Sequence, residues 1–229
     1  MRLTAIFVAI LMLTACGAVQ AGTQVDFAVT GIGSFTVELL DSTPLTTANF
    51  LQYVNAGRYD GTIFHRSDIG NQVLQLGGFA LASDPGYLLQ YVPTFTAVAY
   101  EGDLGGSNIL GTIGMARTSD PNSATSQWYI NMGDNSPWFD HQDGSPGYTV
   151  FGNVISGMDT LMAVYGLNVW DASGFFGLSA FSTLPLMDSF DIDIPLTQAD
   201  FVSVFVPEPA TLALVALGGL AAARRLRRR

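Results

Sequence analysis

Alternation of apolar and polar positions predicts a β-hairpin near the start of the central region. Residues 25–29 and 35–39 read VDFAV and FTVEL, in which every second side chain is apolar. The Gly-Ile-Gly-Ser run of residues 31–34 between them is typical of a turn. The pattern therefore predicts two antiparallel strands joined by a short connection.

Helical spacing follows the hairpin. Thr43 is expected to cap this helix, Pro44 to occupy its first position, and Gly57 to end it. Between these signals lies an apolar stripe with helical spacing, made of Phe50, Leu51 and Val54.

Short β segments, broken by Gly and Pro, fill most of the remaining central region. A second helix is predicted at residues 158–165, and residues 170–194 show no clear pattern. Many short strands with few helices indicate a mainly β protein, a closed antiparallel barrel capped by helices. The predicted segments are 61–66, 73–76, 96–100, 111–117, 127–132 and 148–154.

Charge is distributed unevenly along the chain. All nine basic residues are Arg, and five of them lie in the last six positions. Residues 22–206 keep only Arg58, Arg66 and Arg117 against 18 acidic residues, a net charge of −15. Because phosphate binding needs a basic footprint, this composition excludes nucleic acid as an expected partner and suits an extracellular protein.

The first 21 residues have the form of a secretory signal peptide. A single Arg precedes an apolar run that ends in small residues and is too short for a good membrane span. Cleavage after Ala21 is favoured; the alternative is a lipoprotein signal ending before Cys16, because residues 13–16 (LTAC) resemble a lipobox. Cys16 is the only cysteine, so a domain at residues 22–205 has no disulfide under either processing.

Residues 206–229 form a separate C-terminal signal. A Pro-Glu-Pro run is followed by 14 apolar residues, 210–223, and then by the Arg cluster. A helix of that length spans ~21 Å, less than the ~30 Å hydrocarbon core, so taken alone it predicts a weak tail anchor. The three-part order also resembles the PEP-CTERM sorting signal. That resemblance implies a Gram-negative bacterium, processing by exosortase-type machinery, and transient membrane association through this segment.

Several classes of catalytic site have no support in the sequence. HExxH, CxxC and GxSxG motifs are absent, and the Gly-rich run at residues 102–106 lacks the lysine of a phosphate-binding loop. With two His residues and no Cys in the domain, a zinc site is not expected, nor is any other metal or cofactor. The reaction must therefore need little acid–base or covalent chemistry.

The most specific pattern is the run MARTSDPNSATSQWYIN at residues 115–131. It is polar up to Gln127 and then turns aromatic, and in a strand Gln127 and Tyr129 share one face. This run resembles the substrate-groove segment of cyclophilin-type peptidyl-prolyl cis-trans isomerases. The resemblance covers residues 25–155, including YDGTIFHR at 59–66, GTIGMAR at 111–117 and GYTVFG at 147–152. It implies a closed antiparallel eight-stranded barrel capped by two helices.

The resemblance also implies a role for individual residues. Arg66 is the expected catalytic guanidinium, with Gln75 and Gln127 binding the substrate backbone. Gln72 and Val73 stand where the family usually has the Phe and Met of its proline pocket, and the segment leading to Gln75 is about one residue longer. The other residues expected along the pocket and groove are Ala116, Arg117, Tyr129, Trp138, Phe139 and Tyr148.

Prolyl isomerisation fits a site that offers only a shaped surface and one fixed charge. Its barrier of ~18–20 kcal/mol comes from amide resonance, so an enzyme need only bind the twisted amide better than the planar one. An Arg can do this by donating to the lone pair that the twisted nitrogen regains, because its charge is permanent and its donors form a rigid fork. Asp68, two residues after Arg66, is expected to pair with that guanidinium and weaken it.

Two functions remain open at this point. Intact Arg66, Gln75 and Gln127 favour a monomeric isomerase acting on X–Pro bonds of exported or surface proteins, in the periplasm, at the cell surface or in the extracellular matrix. The changes at Gln72 and Val73 favour a peptide-binding or chaperone module with weak or no catalysis. In both cases the partners are proline-containing polypeptides.

Overall fold

The computed structural model describes residues 22–84, 86–142, 144–188 and 196–207. The predicted signal peptide and nearly all of the predicted sorting segment lie outside these ranges. The strands are β1 (Gln24–Val29), β2 (Gly33–Leu39), β3 (Thr62–Ile63), β4 (Arg66–Asp68), β5 (Val73–Leu76), β6 (Phe79–Leu81), β7 (Leu89–Tyr91), β8 (Thr112–Met115), β9 (Trp128–Asn131), β10 (Val150–Ser156), β11 (Val169–Trp170), β12 (Leu184–Pro185) and β13 (Ser203–Phe205). The α-helices are α1 (Pro44–Asn55), α2 (Ser136–Phe139), α3 (Met158–Tyr165) and α4 (Ser173–Phe176).

One curled antiparallel sheet contains eleven of the described strands, in the order β4-β5-β9-β8-β10-β2-β1-β13-β3-β6-β7. The mainly β class is confirmed, but eleven strands form this sheet where eight were predicted. The predicted strand at 61–66 is divided because the chain changes partner inside it: the Phe64 N–H donates to the Val202 carbonyl and the His65 N–H to the Gln75 carbonyl. Accordingly β3 pairs with β13, while β4 pairs with β5. Three further short strands of this sheet, β6, β7 and β13, lie outside the predicted set.

A cluster of aromatic side chains forms the main core inside the curled sheet. Phe27 stacks on Phe35 at 5.1 Å, and Phe50 from α1 meets the edge of Trp128 at 5.4 Å. All four are essentially inaccessible to solvent. Helix α3 adds Leu161 and other apolar residues to the same core. Both predicted helices therefore pack against it, and the bounds of α3 match residues 158–165.

The N-terminus of α1 is capped in a different way from the prediction. Pro44 is at the first helical position as expected, but the buried Thr43 hydroxyl has no hydrogen-bond partner among the described residues. The carboxylate of Glu101 takes its place and accepts the backbone N–H groups of Leu45 and Thr46 at 3.1 and 2.7 Å. A remote acid thus satisfies the helix donors and complements the positive end of its dipole.

Gly57 ends α1 as predicted. Its φ of +63° lets the N–H groups of Gly57 and Arg58 return to the carbonyls of Val54 and Tyr53, a Schellman arrangement. The Arg58 guanidinium then lies 3.5 Å above the Phe95 ring.

The strand predicted at residues 96–100 is wrong. This stretch is extended but forms only an isolated bridge between Val98 and Ala124. Side chains replace a neighbouring strand here: the Tyr53 hydroxyl accepts from the Phe95 N–H at 2.8 Å, and the Asn122 side chain accepts from the Tyr100 N–H at 2.9 Å.

Residues 168–187, which include most of the described part of the stretch 170–194 that gave no clear pattern, build a second layer against the sheet. The β11–β12 pair, α4 and a 3-10 turn at Ser179–Phe181 enclose a separate apolar cluster. Phe181 lies 4.5 Å from Phe79 of the sheet, which fastens this layer to β6. None of the helices in the described ranges has the length and apolarity needed to cross a bilayer.

Candidate functional site

Sheet register brings the predicted catalytic residues together. Arg66 at the start of β4 pairs with Gln75 of β5, and Gln75 pairs with Tyr129 of β9. Three residues that are far apart in sequence thus form one row across the sheet. Because directly paired residues of neighbouring strands point to the same face of a sheet, this row presents an Arg, an amide and an aromatic ring on one face.

A cavity of about 130 Å³ lies at this row. On one side it has three rings, Tyr129, Phe139 and Tyr148, which we call the aromatic wall. Their centroids lie 5.0 to 5.9 Å apart, in tilted or edge-to-face arrangements. On the other side it has Arg66 and Gln75, which we call the arginine wall. Val73, Ala116 and Arg117 complete the lining.

Hydrogen bonds link the arginine wall to Gln127. The Arg66 guanidinium donates to Gln75 Oε1 at 3.3 Å, and Gln75 Nε2 donates to Gln127 Oε1 at 2.9 Å. Gly78 makes room for this chain, since a Cβ there would lie 2.8 Å from Gln127 Cδ. The three polar side chains therefore hold each other in position along the groove.

Asp68 pairs with the Arg66 guanidinium, as the sequence predicted. Burial raises the pKa of Asp68, but hydrogen bonds from the backbone and side chain of Asn71, together with Arg66, outweigh burial and leave that pKa below its ordinary value. The carboxylate is therefore charged at neutral pH. Part of the charge of Arg66 is thereby compensated in the free protein.

The aromatic wall rests on a buried network of amide side chains. The Tyr129 hydroxyl donates to Asn108 Oδ1 at 2.6 Å, and Asn131 Nδ2 donates to the same oxygen at 3.2 Å. Asn108 Nδ2 in turn donates to Asp140 at 2.9 Å, and Asn135 Nδ2 donates to Asn131 at 2.8 Å. Burial raises the pKa of Tyr129 well above its ordinary value, so this ring stays neutral.

Arg117 closes one end of the cavity. Its Nε and one terminal nitrogen donate to the Gly147 carbonyl at 3.1 and 2.6 Å, and its guanidinium lies 4.6 Å from the Tyr148 ring centroid. Gly114 allows the aromatic wall to approach β8, since a Cβ there would lie 2.4 Å from the Tyr129 ring.

His65 lies behind the arginine wall with no exposed surface. Neither ring nitrogen meets hydrogen-bond geometry with a described residue. Burial and the adjacent Arg66 lower the pKa of His65 to about 3, against weaker opposing effects of the Ile63 carbonyl and Gln127. The imidazole is therefore neutral and is a poor candidate for proton transfer.

Three residues expected at the pocket and groove, Gln72, Gln127 and Trp138, lie outside its lining. Gln72 has a φ of +50° and is solvent-exposed, with its side-chain amide beside Gly133. Trp138 on α2 is 72% exposed. Gln127 reaches the cavity only through Gln75. The remaining predicted residues all line it.

Other residues that shape the site carried no recognisable sequence signal. Asn108 and Asp140 support the aromatic wall, and Ser179 and Ser182 approach Arg66 from the second layer. All four act through contacts between distant parts of the chain. Among the described residues, no group of three or more His, Cys, Asp or Glu side chains could hold a metal ion.

Two family models match the chain, one over the region that contains the site and the other over the C-terminal segment. The family model of cyclophilin-type peptidyl-prolyl cis-trans isomerases matches residues 24–172, and that of the PEP-CTERM protein-sorting motif matches residues 205–229. A Streptomyces antibioticus peptidyl-prolyl cis-trans isomerase is 41% identical over 149 residues, which cover 63% of this chain and 85% of the relative. Isomerase A of Dickeya dadantii is 42% identical over 161 residues, covering 69% and 80% respectively.

Solved structures show the same fold. A Cryptosporidium parvum cyclophilin-type isomerase superposes with a TM-score of 0.51 at 20% identity, covering 81% of this chain and 98% of that one. A second crystal structure of that protein, obtained in the presence of the dipeptide Ala-Pro, gives the same TM-score and covers 82% of this chain.

Proposed function

The chain belongs to the cyclophilin-type peptidyl-prolyl cis-trans isomerase family, and on this premise we propose that it isomerises X–Pro bonds through the Arg66 guanidinium. The observation that carries the proposal is the cavity between the two walls. Its lining brings the Arg66 guanidinium, a permanently charged donor group, together with three rings that can hold a proline. The substrates are proline-containing polypeptides.

The proposed mechanism depends on binding the twisted amide more tightly than the planar one. A proline ring packs against the aromatic wall, and Arg66 donates to the amide nitrogen as its lone pair becomes available. Lowering the ~18–20 kcal/mol barrier by ~5 kcal/mol accelerates the step by three to four powers of ten. Gln75 and Gln127 orient the guanidinium and bind the substrate backbone.

The remaining predicted residues have supporting roles in this proposal. Val73 and Ala116 contact the proline-bearing segment, and Arg117 holds the Tyr148 side of the cavity in place. Gln72 and Trp138 lie beside the groove, where they can contact only the outer parts of a longer peptide.

The PEP-CTERM motif suggests export and targeting to the bacterial cell surface, with processing by an exosortase. We place the substrates among exported or surface proteins, in the periplasm, at the surface or in the matrix of a Gram-negative bacterium. The strongly acidic composition of residues 22–206 supports a location outside the cytoplasm.

The second candidate function is a peptide-binding or chaperone module with little catalysis. Two observations favour it: Asp68 compensates part of the charge of Arg66, and the small Val73 stands where the family usually has a larger side chain. A larger apolar residue at such a position would add ~1–2 kcal/mol of contact with the proline.

An NMR exchange assay on an X–Pro peptide separates the two functions. We expect Arg66→Ala to lower kcat/KM about 100-fold, which corresponds to ~2.7 kcal/mol of lost transition-state stabilisation. Arg58→Ala is the matched control, because Arg58 packs on Phe95 outside the groove.

If the wild type and Arg66→Ala turn the peptide over equally slowly, the isomerase proposal fails. Chemical-shift changes at Tyr129 and Tyr148 on adding the peptide would then support the binding module.

A further inference from the structure

A second cavity of about 340 Å³ lies next to the arginine wall, and no comparison accounts for it. It shares Arg66 and Gln75 with the smaller cavity, so the two are neighbours across this pair. Its opposite side is formed by Ser179, Ala180 and Ser182 of the second layer. These residues lie beyond residue 172, where the family match ends.

The serine-bearing segment is held firmly against the sheet. The Ser67 N–H of β4 donates to the Thr183 carbonyl at 2.8 Å, which occupies the free edge of β4. Phe181, between the two serines, is buried and lies 4.6 Å from Phe176 and 4.5 Å from Phe79. The cavity therefore has a fixed outer wall, although Ser179 and Ser182 themselves are exposed.

The chemistry of the lining favours an uncharged, hydrogen-bonding guest. Two hydroxyls, one amide, one guanidinium and the neutral imidazole of His65 line the cavity, and no carboxylate belongs to this lining. Asp68 already compensates part of the charge of Arg66, and the domain is strongly acidic, so a carboxylate guest gains little attraction. An aliphatic guest would displace water from these polar groups without replacing its hydrogen bonds.

We propose that Arg66, Gln75, Ser179, Ala180 and Ser182 form a specificity subsite, the serine subsite, for the residue next to the substrate proline. It selects Ser, Thr, Asn or Gln over aliphatic residues of similar size. This inference rests on the proposed function, because a proline in the smaller cavity puts the adjoining residue of an extended peptide, about 3.3 Å further along, over Arg66 and Gln75.

Two pairs of peptides with nearly equal side-chain volume test the subsite. Thr is compared with Val, and Asn with Leu, at the positions before and after proline, and kcat/KM is measured by NMR exchange. We expect the polar member to be preferred at least fivefold at one of the two positions. The double variant Ser179→Ala/Ser182→Ala should bring that preference close to one. Ser34→Ala, an exposed serine of the β1–β2 hairpin outside the cavity lining, should leave it unchanged.

The possible failures are distinguishable. Turnover that depends on Arg66 but is equal for Thr and Val peptides overturns the serine subsite and leaves the isomerase proposal intact. A preference for Asp or Glu peptides overturns it too, because the lining would then act as an anion site. If no peptide is turned over, the isomerase proposal fails. Peptide affinities then decide the subsite: a Thr-over-Val preference that the double variant abolishes supports it, and equal affinities overturn it.

Discussion

The two walls of the groove differ in whether the buried polar groups behind them have hydrogen-bond partners. Behind the aromatic wall, the side chains of Asn108, Asn131 and Asn135 are joined by hydrogen bonds to one another and to Tyr129. Behind the arginine wall, His65, Ser67 and Thr183 each carry a buried polar side-chain atom with no partner among the described residues. One wall is fixed by a satisfied network, while the other tolerates polar atoms that lower its stability.

This difference teaches where the groove can change. In the proposed function the aromatic wall holds a proline ring in one geometry, and satisfied networks fix geometry. At the arginine wall the second layer supplies side chains that the family match does not include. Three variants test this difference between the walls.

Removing the centre of the amide network should lower the stability of the protein more than any other change proposed here. Asn108→Ala leaves Tyr129, Asn131 and Asp140 without a shared partner inside the protein. We expect a loss of about 3 kcal/mol in the free energy of unfolding, a Tm decrease of roughly 6–12 °C, measured by urea and thermal unfolding. Asn122→Ala, at an exposed asparagine that accepts one backbone N–H, should cost less than about 1 kcal/mol. Equal losses of stability in the two variants would contradict the view that the amide network fixes the aromatic wall.

Acid should destabilise the arginine wall through His65. Its pKa is about 3 in the folded protein and about 6.5 in the unfolded chain, so between these values only the unfolded chain binds the proton. Stability therefore falls as pH decreases through this window, by about 2 kcal/mol between pH 7 and 5.

His65→Phe should remove this part of the pH dependence, because a phenyl ring suits the neighbouring Phe79 and Phe181. Urea unfolding at pH 7 and pH 5 measures the difference. Work above pH 5 avoids Asp68, whose lowered pKa makes its stabilising charge disappear only under more acidic conditions. Parallel pH dependence in the two proteins would show that His65 is not the responsible group.

The smallest change in free energy is expected from Asp68→Asn, as a change in kcat/KM. The amide oxygen can still accept from Arg66 but no longer compensates its charge, so kcat/KM at pH 7 should rise about threefold, or ~0.6 kcal/mol. Asp26→Asn, in the β1–β2 hairpin, changes the net charge equally without touching the groove. A decrease in kcat at constant KM would instead identify Asp68 as a residue that positions the guanidinium.

Local sequence signals predicted the elements whose ends depend on single residues. Pro44 and Gly57 bound α1, and the alternating runs of the hairpin became β1 and β2. The row of Arg66, Gln75 and Tyr129 needed the family resemblance, because strand register is a contact between distant segments.

Features that depend on unrelated stretches of chain escaped prediction. Glu101 caps a helix 55 residues away, and Thr183 covers the edge of β4. Neither residue differs in its local pattern from an ordinary loop residue. The same holds for the serine subsite, whose outer wall comes from a stretch of Phe, Leu, Ser and Asp without periodicity.

The contacts of Arg58, Arg66 and Arg117 also bear on how well the protein resists proteolysis. Arg58 lies on Phe95 and donates to the Pro93 carbonyl, Arg66 is paired with Asp68, and Arg117 is bonded to Gly147. Residues 22–207 contain no Lys, so a trypsin-like protease finds only these three cleavage points there, each with its recognition group already occupied. The contacts that hold these guanidiniums in place therefore also leave such proteases few points at which digestion can begin.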